Sequence, residues 1–280
     1  MFDTLISSDA LAARLGAPDL VIVDVRHDLA QPETFGVGRY RQGHLPGAVF
    51  AHLDRDLSAP TTGRNGRHPL PSPDASAAVF GRLGIDASKQ VVVYDQANGM
   101  YASRIWWMLH WLGHDAAAVL DGGYDKWVRE GRPVTADVPT PRPTTFAIRQ
   151  VAPTLDAATV EANLASPSQL LVDARGAERY RGDVEPMDPV PGHIPGAVNR
   201  PYAQNLNADA TFKSASALRA EFDALLGGRS TSEVVHQCGS GVSACHNLLA
   251  MEVAGLHGSR LYPGSWSEWC ADPARPVARG

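Results

Sequence analysis

Short runs of consecutive apolar residues alternate along this chain with longer segments in which apolar residues recur at helical spacing. The short runs are rich in β-branched residues, as is typical of strands buried on both faces of a parallel sheet. They cover residues 20–25, 91–95, 170–174 and 234–238. The helical spacing predicts helices over residues 8–15, 101–113, 155–164, 216–226 and 242–255. This alternation predicts an α/β fold with helices on both sides of a mostly parallel sheet.

The pattern occurs twice, which indicates two similar domains. The segments LVIVDVR, GHLPGAV and VVVYD of the first half match LLVDAR, GHIPGAV and VVHQC of the second half in the same order. Gly43 and Gly192 are 149 residues apart, whereas Asp95 and Cys238 are 143 apart. The first copy therefore holds six additional residues, which we place in the loop 59–73, and loops are where functional residues concentrate.

The repeat and a Pro- and Thr-rich stretch between its copies predict the domain boundaries. We expect an N-terminal domain over residues 1–137, an extended linker over 138–150 and a C-terminal domain over 151–280. Each domain is expected to have three layers, with a central sheet between helices.

Composition restricts the classes of partner. Hydrophobic residues make up 44% of the chain and charged residues 20%, as in globular proteins, and the net charge of −5 gives no electrostatic footprint for nucleic acid or an anionic membrane surface. No apolar stretch is long enough to cross a bilayer, and Asp3 lies where a secretory leader would carry positive charge. Three cysteines in a chain of this size do not suggest a disulfide framework. We therefore expect a cytoplasmic protein.

Cys238 is the residue most clearly placed for chemistry. It ends the second-half strand VVHQC and precedes the segment GSGVSA and a helix, and α/β sheets bind ligands beyond the carboxyl ends of their strands. Gly239 and Gly241 are expected to adopt positive φ, so that backbone N–H groups turn toward one point. Such a cradle stabilises a thiolate and can hold an anion beside the sulfur.

These features together resemble the tandem-domain rhodanese-type sulfurtransferases, and the resemblance extends over nearly the whole chain. CGSGVSA is similar to the CGSGVTA loop of 3-mercaptopyruvate sulfurtransferases, and less similar to the more basic CRKGVT-like loop of thiosulfate sulfurtransferases. The resemblance implies two tandem rhodanese-like domains. Asp95 replaces the cysteine in the first copy, so that domain is expected to be catalytically inactive.

The resemblance also implies a reaction. Cys238 would take a sulfane sulfur from a small anionic donor, 3-mercaptopyruvate or thiosulfate, and pass it as a persulfide to a thiol acceptor such as thioredoxin, or to cyanide. Neither a metal nor an organic cofactor is implied. The loop residues Gly239, Gly241, Val242 and Ser243 would surround the substrate.

Four further positions match functional residues of the family. Arg179 matches the arginine that binds the anionic donor. Ser240, Asp54 and His68 match a serine, an aspartate and a histidine that form a proposed proton relay in the mercaptopyruvate-type enzymes. His68 lies in the loop that accounts for the six additional residues.

One departure from the family concerns a second arginine that usually follows a Glu-Pro pair. Here VEPMDP has Met187 and Asp188 at that point. The clamp on a donor carboxylate would lose one arm, and Arg181 or Arg200 could replace it.

The sequence leaves three alternatives to an active sulfurtransferase: a cysteine phosphatase, a zinc site and a persulfide carrier. A cysteine phosphatase needs an arginine six residues after its cysteine, and that residue is Ala244. A zinc site made of His236, Cys238, Cys245 and His246 would lack the close C-x2-C spacing of structural zinc sites. A persulfide carrier that serves only a protein partner is the third alternative, and turnover with small thiols would distinguish it from an enzyme.

Several aromatic and histidine residues invite structural interpretations. His44 and His193 occupy equivalent places in GHLPG and GHIPG, and we expect both to be structural because one lies in the inactive copy. Trp266 and Trp269 are expected to line the mouth of the active site.

Overall fold

The computed structural model describes all 280 residues, which form two compact units. The first unit comprises Met1–Ala59, Pro71–Ala152 and Ala208–Thr211, and the second comprises Pro60–Leu70, Pro153–Asn207 and Phe212–Gly280. Residues 60–70 belong to the first repeat in sequence and pack within the second unit. None of the helices combines the length and apolar character that crossing a bilayer requires.

The first unit is a five-stranded parallel sheet with helices around it. Its strands are β1 (Leu5–Ile6), β2 (Leu20–Asp24), β3 (Val49–Phe50), β4 (Gln90–Tyr94) and β5 (Ala117–Leu120). Its helices are α1 (Ser8–Ala12), α2 (Phe35–Gln42), α3 (Leu53–Asp56), α4 (Pro73–Arg82), α5 (Ala102–Trp111) and α6 (Gly123–Arg129). The strand order is β1-β5-β4-β2-β3, with Val23 opposite both Val49 and Val93. Every residue of the central strand β4 is buried, which explains its continuous apolar run.

The second unit repeats this architecture with four parallel strands. They are β6 (Leu170–Asp173), β7 (Val198–Asn199), β8 (Val234–Gln237) and β9 (Arg260–Leu261), in the order β7-β6-β8-β9. The helices are α7 (Ala157–Ala165), α8 (Ala177–Arg181), α9 (Ala215–Leu226), α10 (Ala244–Val253) and α11 (Ser265–Trp269), with 3-10 turns at Tyr202–Asn205 and Thr231–Glu233. Asp173 lies opposite Gln237, the last residue of β8, so both strands end at the same edge of the sheet.

The α/β class, the two parallel sheets and all four predicted strands are confirmed, and a helix occurs in each of the five predicted segments. The short edge strands β1, β3, β7 and β9 were not predicted, because two residues are too few to produce a periodic pattern. The inner strand β5, which has four buried residues, was not predicted either.

A buried ion pair explains part of the repeated sequence. Arg26 forms a bidentate pair with Asp24 and donates a hydrogen bond of 2.6 Å to the carbonyl of Gly43. In the second unit Arg175 does the same with Asp173 and with the carbonyl of Gly192, at 2.8 Å. Burial acts to lower the pKa of each arginine, but the adjacent aspartate outweighs burial and raises this pKa above its usual value. Each pair joins the first long strand of its sheet to the GH-PG segment.

The two histidines of the GH-PG segments have structural roles, as expected. His44 stacks on Tyr40 at a centroid distance of 4.0 Å, and its Nδ1 lies 2.8 Å from the carbonyl oxygen of that tyrosine. His193 makes the same two contacts with Tyr180.

The tryptophans of α11 do not line the mouth of a site, so that prediction is wrong. Trp266 and Trp269 are fully buried in the core of the second unit. Their indole N–H groups donate to the carbonyls of Val190 and Pro276, respectively. Two large aromatic rings stabilise this small unit better in its core than at an exposed opening.

The segment predicted as a linker is packed against the first unit. Phe146 is buried against Phe80, with ring centroids 5.2 Å apart, and the N–H of Thr144 donates to the carbonyl of Gly81. The first unit therefore extends to Ala152.

Candidate active site

Cys238 lies directly beyond the carboxyl end of β8, where the sequence places it. Its N–H donates a hydrogen bond of 3.1 Å to the hydroxyl of Ser265, and its carbonyl accepts one from the N–H of Trp266 at 2.9 Å. The residue is only 2% exposed. The backbone of the cysteine is thus fixed on both sides by the start of α11.

Ser265 holds this position in a strained conformation. Its φ is +55°, a left-handed value that non-glycine residues rarely adopt, and its hydroxyl donates to the carbonyl of Tyr262 at 3.0 Å. The equivalent residue of the first repeat is Gly123, with φ of +57°. Strain at a non-glycine residue often marks a functional site. A serine in place of the first repeat's glycine was the available sequence signal, which our sequence reasoning missed.

The two glycines of the loop serve different purposes. Gly241 has the predicted positive φ, +76°, and a Cβ there would lie 2.3 Å from the carbonyl oxygen of Pro263. Gly239 does not have positive φ, so that part of the prediction is wrong. A Cβ at Gly239 would lie 2.7 Å from Nη2 of Arg67, the far end of a flexible side chain, so glycine here leaves room for that guanidinium beside the loop.

The other two loop residues that we predicted as substrate ligands lead into α10. Val242 is buried, and Ser243 is the residue at the helix N-cap, with no capping hydrogen bond from its side chain.

The first unit indicates what a loop of this form binds. The carboxylate of the buried Asp95 accepts backbone hydrogen bonds from Ala97, Gly99, Tyr101 and Ala102, at 2.9 to 3.3 Å. Burial raises the pKa of Asp95, and the four N–H groups oppose that rise. In this copy the loop closes around a negative group from its own strand end.

The loop of the second unit is one residue shorter. Asp95 and Cys238 are 143 residues apart, but the positive-φ residues Gly99 and Gly241 are 142 apart. The second loop places a thiol where the first places a carboxylate.

Ser240 and His68 form a buried polar pair beside the cysteine. Nδ1 of His68 lies 2.7 Å from Oγ of Ser240, and each residue is 6% exposed. The segment that carries His68 is anchored where the N–H of Arg67 donates to the hydroxyl of Ser267. Gly66 makes this approach feasible, since a Cβ there would lie 3.0 Å from the carbonyl of Gly264.

Two arginines lie beside the loop, together with two carboxylates. Arg179 makes a bidentate contact with Glu185, and its Nη2 lies 3.3 Å from Oδ2 of Asp188. Arg67 forms an ion pair with Oδ1 of the same aspartate. Burial acts to raise the pKa of Glu185, but hydrogen bonds from Arg179 and from backbone N–H groups outweigh burial and hold this pKa below its usual value.

Neither arginine that we considered as a replacement for the missing arm lies at this site. Arg181 is half exposed and paired with Asp183. Arg200 is directed at Asn205 and Glu221. The second arginine of the site is Arg67, which reaches the loop from the segment 60–70.

Asp54 belongs to the first unit. It lies at the start of α3, where its N–H donates to Nδ1 of His52, and its carboxylate lies 3.9 Å from Nε2 of His27. Its place in a proton relay stays a prediction.

The His27, His52 and Asp54 group brings three potential metal-ligand atoms within 4.8 Å of one another. Nε2 of His52 lies 3.1 Å from the carbonyl oxygen of Pro32, and its Nδ1 accepts backbone hydrogen bonds. A metal would have to displace these contacts.

The residues of the alternative zinc site have other partners. Nε2 of His236 faces the sulfur of Met251 at 3.1 Å, and Nδ1 of His246 lies 3.1 Å from the side-chain amide of Asn205. The thiol of Cys245 donates to the carbonyl of Gly241.

Sequence reasoning missed Arg67, Glu185 and Ser265, and treated Asp188 only as the absence of an arginine. Arg67 immediately precedes His68, so its proximity to the site could have been inferred from that neighbour. The ion pairs of Glu185 and Asp188 depend on the path of the loop 184–190, which has no periodic pattern.

Comparison with known proteins agrees with this architecture. The family described as "Rhodanese-like domain" matches residues 7–130 and again residues 156–272. A Pseudomonas aeruginosa protein named "Probable 3-mercaptopyruvate sulfurtransferase" is 48% identical over 99% of this chain and 98% of its own length. The Bos taurus protein named "Thiosulfate sulfurtransferase" is 37% identical over 86% of this chain and 82% of its own length.

Among solved structures, the 3-mercaptopyruvate sulfurtransferase from Leishmania major superposes with a TM-score of 0.84 at 30% identity, covering 95% of this chain and 74% of that one. The chain therefore belongs to the rhodanese-like family and carries two rhodanese-like domains in tandem, as the two family matches, the relatives of similar length and the shared fold all show.

Proposed function

We propose that this protein is a sulfurtransferase that prefers 3-mercaptopyruvate as its sulfur donor and carries the sulfur as a persulfide on Cys238. The observation that carries the choice of donor is the 2.7 Å contact between His68 and Ser240, two residues beyond the cysteine. The relatives named as sulfurtransferases support the reaction class.

In the first step the Cys238 thiolate attacks the sulfur of the donor. A new S–S bond forms, the C–S bond of 3-mercaptopyruvate breaks, and its electron pair leaves with the carbon as the enolate of pyruvate. The enzyme is then the Cys238 persulfide. The strand-end position and the fixed backbone of the cysteine support this role for the nucleophile.

The enolate must take up a proton to become pyruvate, and the Ser240 and His68 pair can supply it. The Ser240 hydroxyl would donate to the enolate while His68 returns a proton to the serine through Nδ1. The family resemblance would add Asp54 as a third member of the relay. Thiosulfate leaves as sulfite and needs no such proton, which is why the pair favours the keto acid.

In the second step a thiolate acceptor attacks the outer sulfur of the persulfide. The S–S bond to Cys238 breaks, the Cys238 thiolate is restored, and the acceptor carries the sulfur as a persulfide. An acceptor with two thiols, such as thioredoxin, then releases the sulfur as hydrosulfide when its two thiols form a disulfide. Cyanide would leave as thiocyanate. All of the steps use groups of this chain and its substrates, with no cofactor.

Three free thiols fit a reducing compartment, so we propose a cytoplasmic location.

The test compares two donors in one set of variants. We expect kcat/KM to be higher for 3-mercaptopyruvate than for thiosulfate, and His68→Gln to lower kcat for 3-mercaptopyruvate by about 100-fold, the usual contribution of a proton-transfer group. The same variant should change turnover of thiosulfate by less than about threefold, because sulfite departs without a proton. An equal loss with both donors would contradict a relay role.

Thiosulfate is the second candidate donor, and the two guanidinium groups beside Gly239 favour it. Glu185 and Asp188 balance their charge, so the arginines present no net positive charge to a dianion. If thiosulfate is preferred tenfold or more, the protein is a thiosulfate sulfurtransferase. Formation of the persulfide without turnover of small thiols would identify a carrier that serves a protein partner.

A further inference from the structure

Ser265 begins α11 in the same way as Gly123 begins α6 in the first unit. Both residues have a left-handed backbone, with φ of +55° for the serine and +57° for the glycine. Glycine adopts this conformation freely, whereas the Cβ of a serine is strained there. The unit that carries the cysteine thus has the less favourable residue at this turn, and the serine side chain needs an explanation.

The side chain of Ser265 is fully buried and joins two backbone groups. Its Oγ accepts a hydrogen bond of 3.1 Å from the N–H of Cys238 and donates one of 3.0 Å to the carbonyl of Tyr262. A hydroxyl has a single proton, so its donation to Tyr262 leaves the oxygen as an acceptor for Cys238. The directions of both hydrogen bonds are therefore set, and the peptide group before the cysteine is held in one orientation.

A neighbouring backbone contact is common to both units. The N–H of Trp266 donates to the carbonyl of Cys238 at 2.9 Å, and in the first unit the N–H of Tyr124 donates to the carbonyl of Asp95 at the same distance. The hydroxyl contact has no counterpart in the first unit, because Gly123 has no side chain. This contact therefore distinguishes the strand end that carries a thiol from the strand end that carries a carboxylate.

The length of the strand-end loop explains why the second unit accommodates a serine. A Cβ on Gly123 would lie 2.9 Å from the carbonyl oxygen of Asp95 and 3.0 Å from the backbone nitrogen of Ala97. Ala97 lies between the strand end and the positive-φ glycine, the part of the first loop that has one residue more than its counterpart. The shorter loop of the second unit leaves room for the side chain of Ser265.

A thiol depends on its backbone for orientation more than a carboxylate does. The two oxygens of Asp95 are held by four backbone N–H groups, which fix the direction of that side chain. The side chain of Cys238 ends in a single sulfur atom, so its direction follows mainly from the orientation of the cysteine backbone. A displacement of a reacting atom by about 1 Å can lower a rate about 100-fold.

We propose that Ser265 is a positioning residue for Cys238. Its hydroxyl holds the backbone of the cysteine so that the sulfur faces the reacting atom of the donor and, as a persulfide, that of the acceptor. The left-handed strain of the serine is retained because a glycine could not make this contact. The reaction that the contact serves rests on the function proposed above, whereas the contact with the cysteine N–H does not.

Two variants separate the hydroxyl from the backbone strain. Ser265→Gly removes both, and Ser265→Ala removes the hydroxyl but keeps the strain. We expect the Tm of Ser265→Gly to stay within about 4 °C of wild type, because the relief of strain offsets the lost hydrogen bond, and the Tm of Ser265→Ala to lie about 2–4 °C lower.

Both variants should lower kcat about 10- to 100-fold with little change in KM. The loss should be similar with 3-mercaptopyruvate and with thiosulfate, because the cysteine sulfur attacks either donor. This equal loss distinguishes the positioning role of Ser265 from the relay role of His68, which is expected to affect only the keto acid.

A serine with a purely structural role gives a different result. Activity would then follow stability, so that Ser265→Gly would be as active as wild type and Ser265→Ala would be the weaker variant. That result would overturn the proposal.

The matched controls change the same features elsewhere. Ala210→Gly relieves the strain at the other non-glycine residue with positive φ, +68°, and Ser103→Ala removes a buried hydroxyl that donates to the carbonyl of Gly99 at 2.7 Å. Both should leave kcat unchanged. A loss in either control as large as that in Ser265→Gly would show a general effect and would also overturn the proposal.

The last experiment observes the contact without any sulfur donor. The chain has three cysteines, so protein labelled with 15N-cysteine gives three backbone amide signals in an NMR spectrum, and the Cys238 signal is the one that Cys238→Ser removes. We expect amide hydrogen exchange of Cys238 to become about tenfold faster or more in both Ser265 variants, and that of Cys245 and Cys270 to stay unchanged.

The two experiments fail independently. If the wild-type protein turns over neither donor while the Cys238 amide exchanges faster in both variants, the proposed function fails and the contact stands. If the wild type turns over its donor while exchange at Cys238 is unchanged in both variants, or while Ser265→Gly keeps the full kcat, the positioning role fails and the function stands.

Discussion

His236 offers a direct test of how burial controls ionisation next to the active-site strand end. It lies in β8, two residues before Cys238, and is fully buried. Its Nε2 faces the sulfur of Met251, and its Nδ1 has no hydrogen-bond partner. Burial lowers the pKa of this histidine from 6.5 to about 3, so the folded protein holds it neutral.

The consequence for stability follows from proton linkage. Below pH 6.5 the histidine of the unfolded chain takes up a proton that the folded protein does not bind until about pH 3. The folded state therefore loses stability progressively as the pH falls through this window. Between pH 7 and pH 5 the loss from this single residue is about 2 kcal/mol.

The experiment replaces His236 by Leu and, separately, by Met. Both are apolar residues of similar volume, and neither can be protonated. Urea unfolding followed by tryptophan fluorescence gives the free energy of unfolding at pH 7 and pH 5. We expect each variant to lose about 2 kcal/mol less than wild type between the two pH values.

Packing differences do not interfere, because they shift the free energy of unfolding of a variant equally at both pH values. The two replacements should therefore differ from each other by a constant offset only. An identical loss in wild type and both variants would show that His236 is protonated in the folded protein, and the burial argument would be wrong.

Three further predictions concern the two strand-end loops. Cys238→Ser should abolish sulfur transfer without unfolding the protein, and mass spectrometry of wild type after exposure to donor should find one added sulfur on the Cys238 peptide; sulfur on another cysteine would contradict the assignment. Asp95→Ala leaves four backbone N–H groups without their acceptor, so it should lower the free energy of unfolding by about 3 kcal/mol or more in urea titrations. An unchanged free energy of unfolding would mean that water replaces the carboxylate. Gly241→Ala should lower the melting temperature in thermal unfolding and the turnover of donor, because the alanine Cβ would lie 2.3 Å from the carbonyl oxygen of Pro263 and the φ of this position is +76°. A variant as active as wild type would show that the loop readily changes shape.

Much of the architecture was predictable because its signals are local. Apolar runs identified the buried strands β2, β4, β6 and β8, since a strand covered on both faces must be apolar at successive positions. The repeated order of segments identified two domains. The position of Cys238 followed from the end of its strand, and family resemblance added Ser240 and His68, whose side chains the structure brings to 2.7 Å.

The sequence by itself thus determined the strands, the repeat and the residue types available for chemistry. Only the tertiary structure decided that Arg67 faces Gly239, that Asp188 bridges two arginines, and that Arg181 and Arg200 are directed elsewhere. These contacts join positions up to 172 residues apart along irregular loops, as between Arg67 and Gly239. Periodicity reports which face of an element is buried, but the direction of a long charged side chain depends on which partners the folded chain brings within reach.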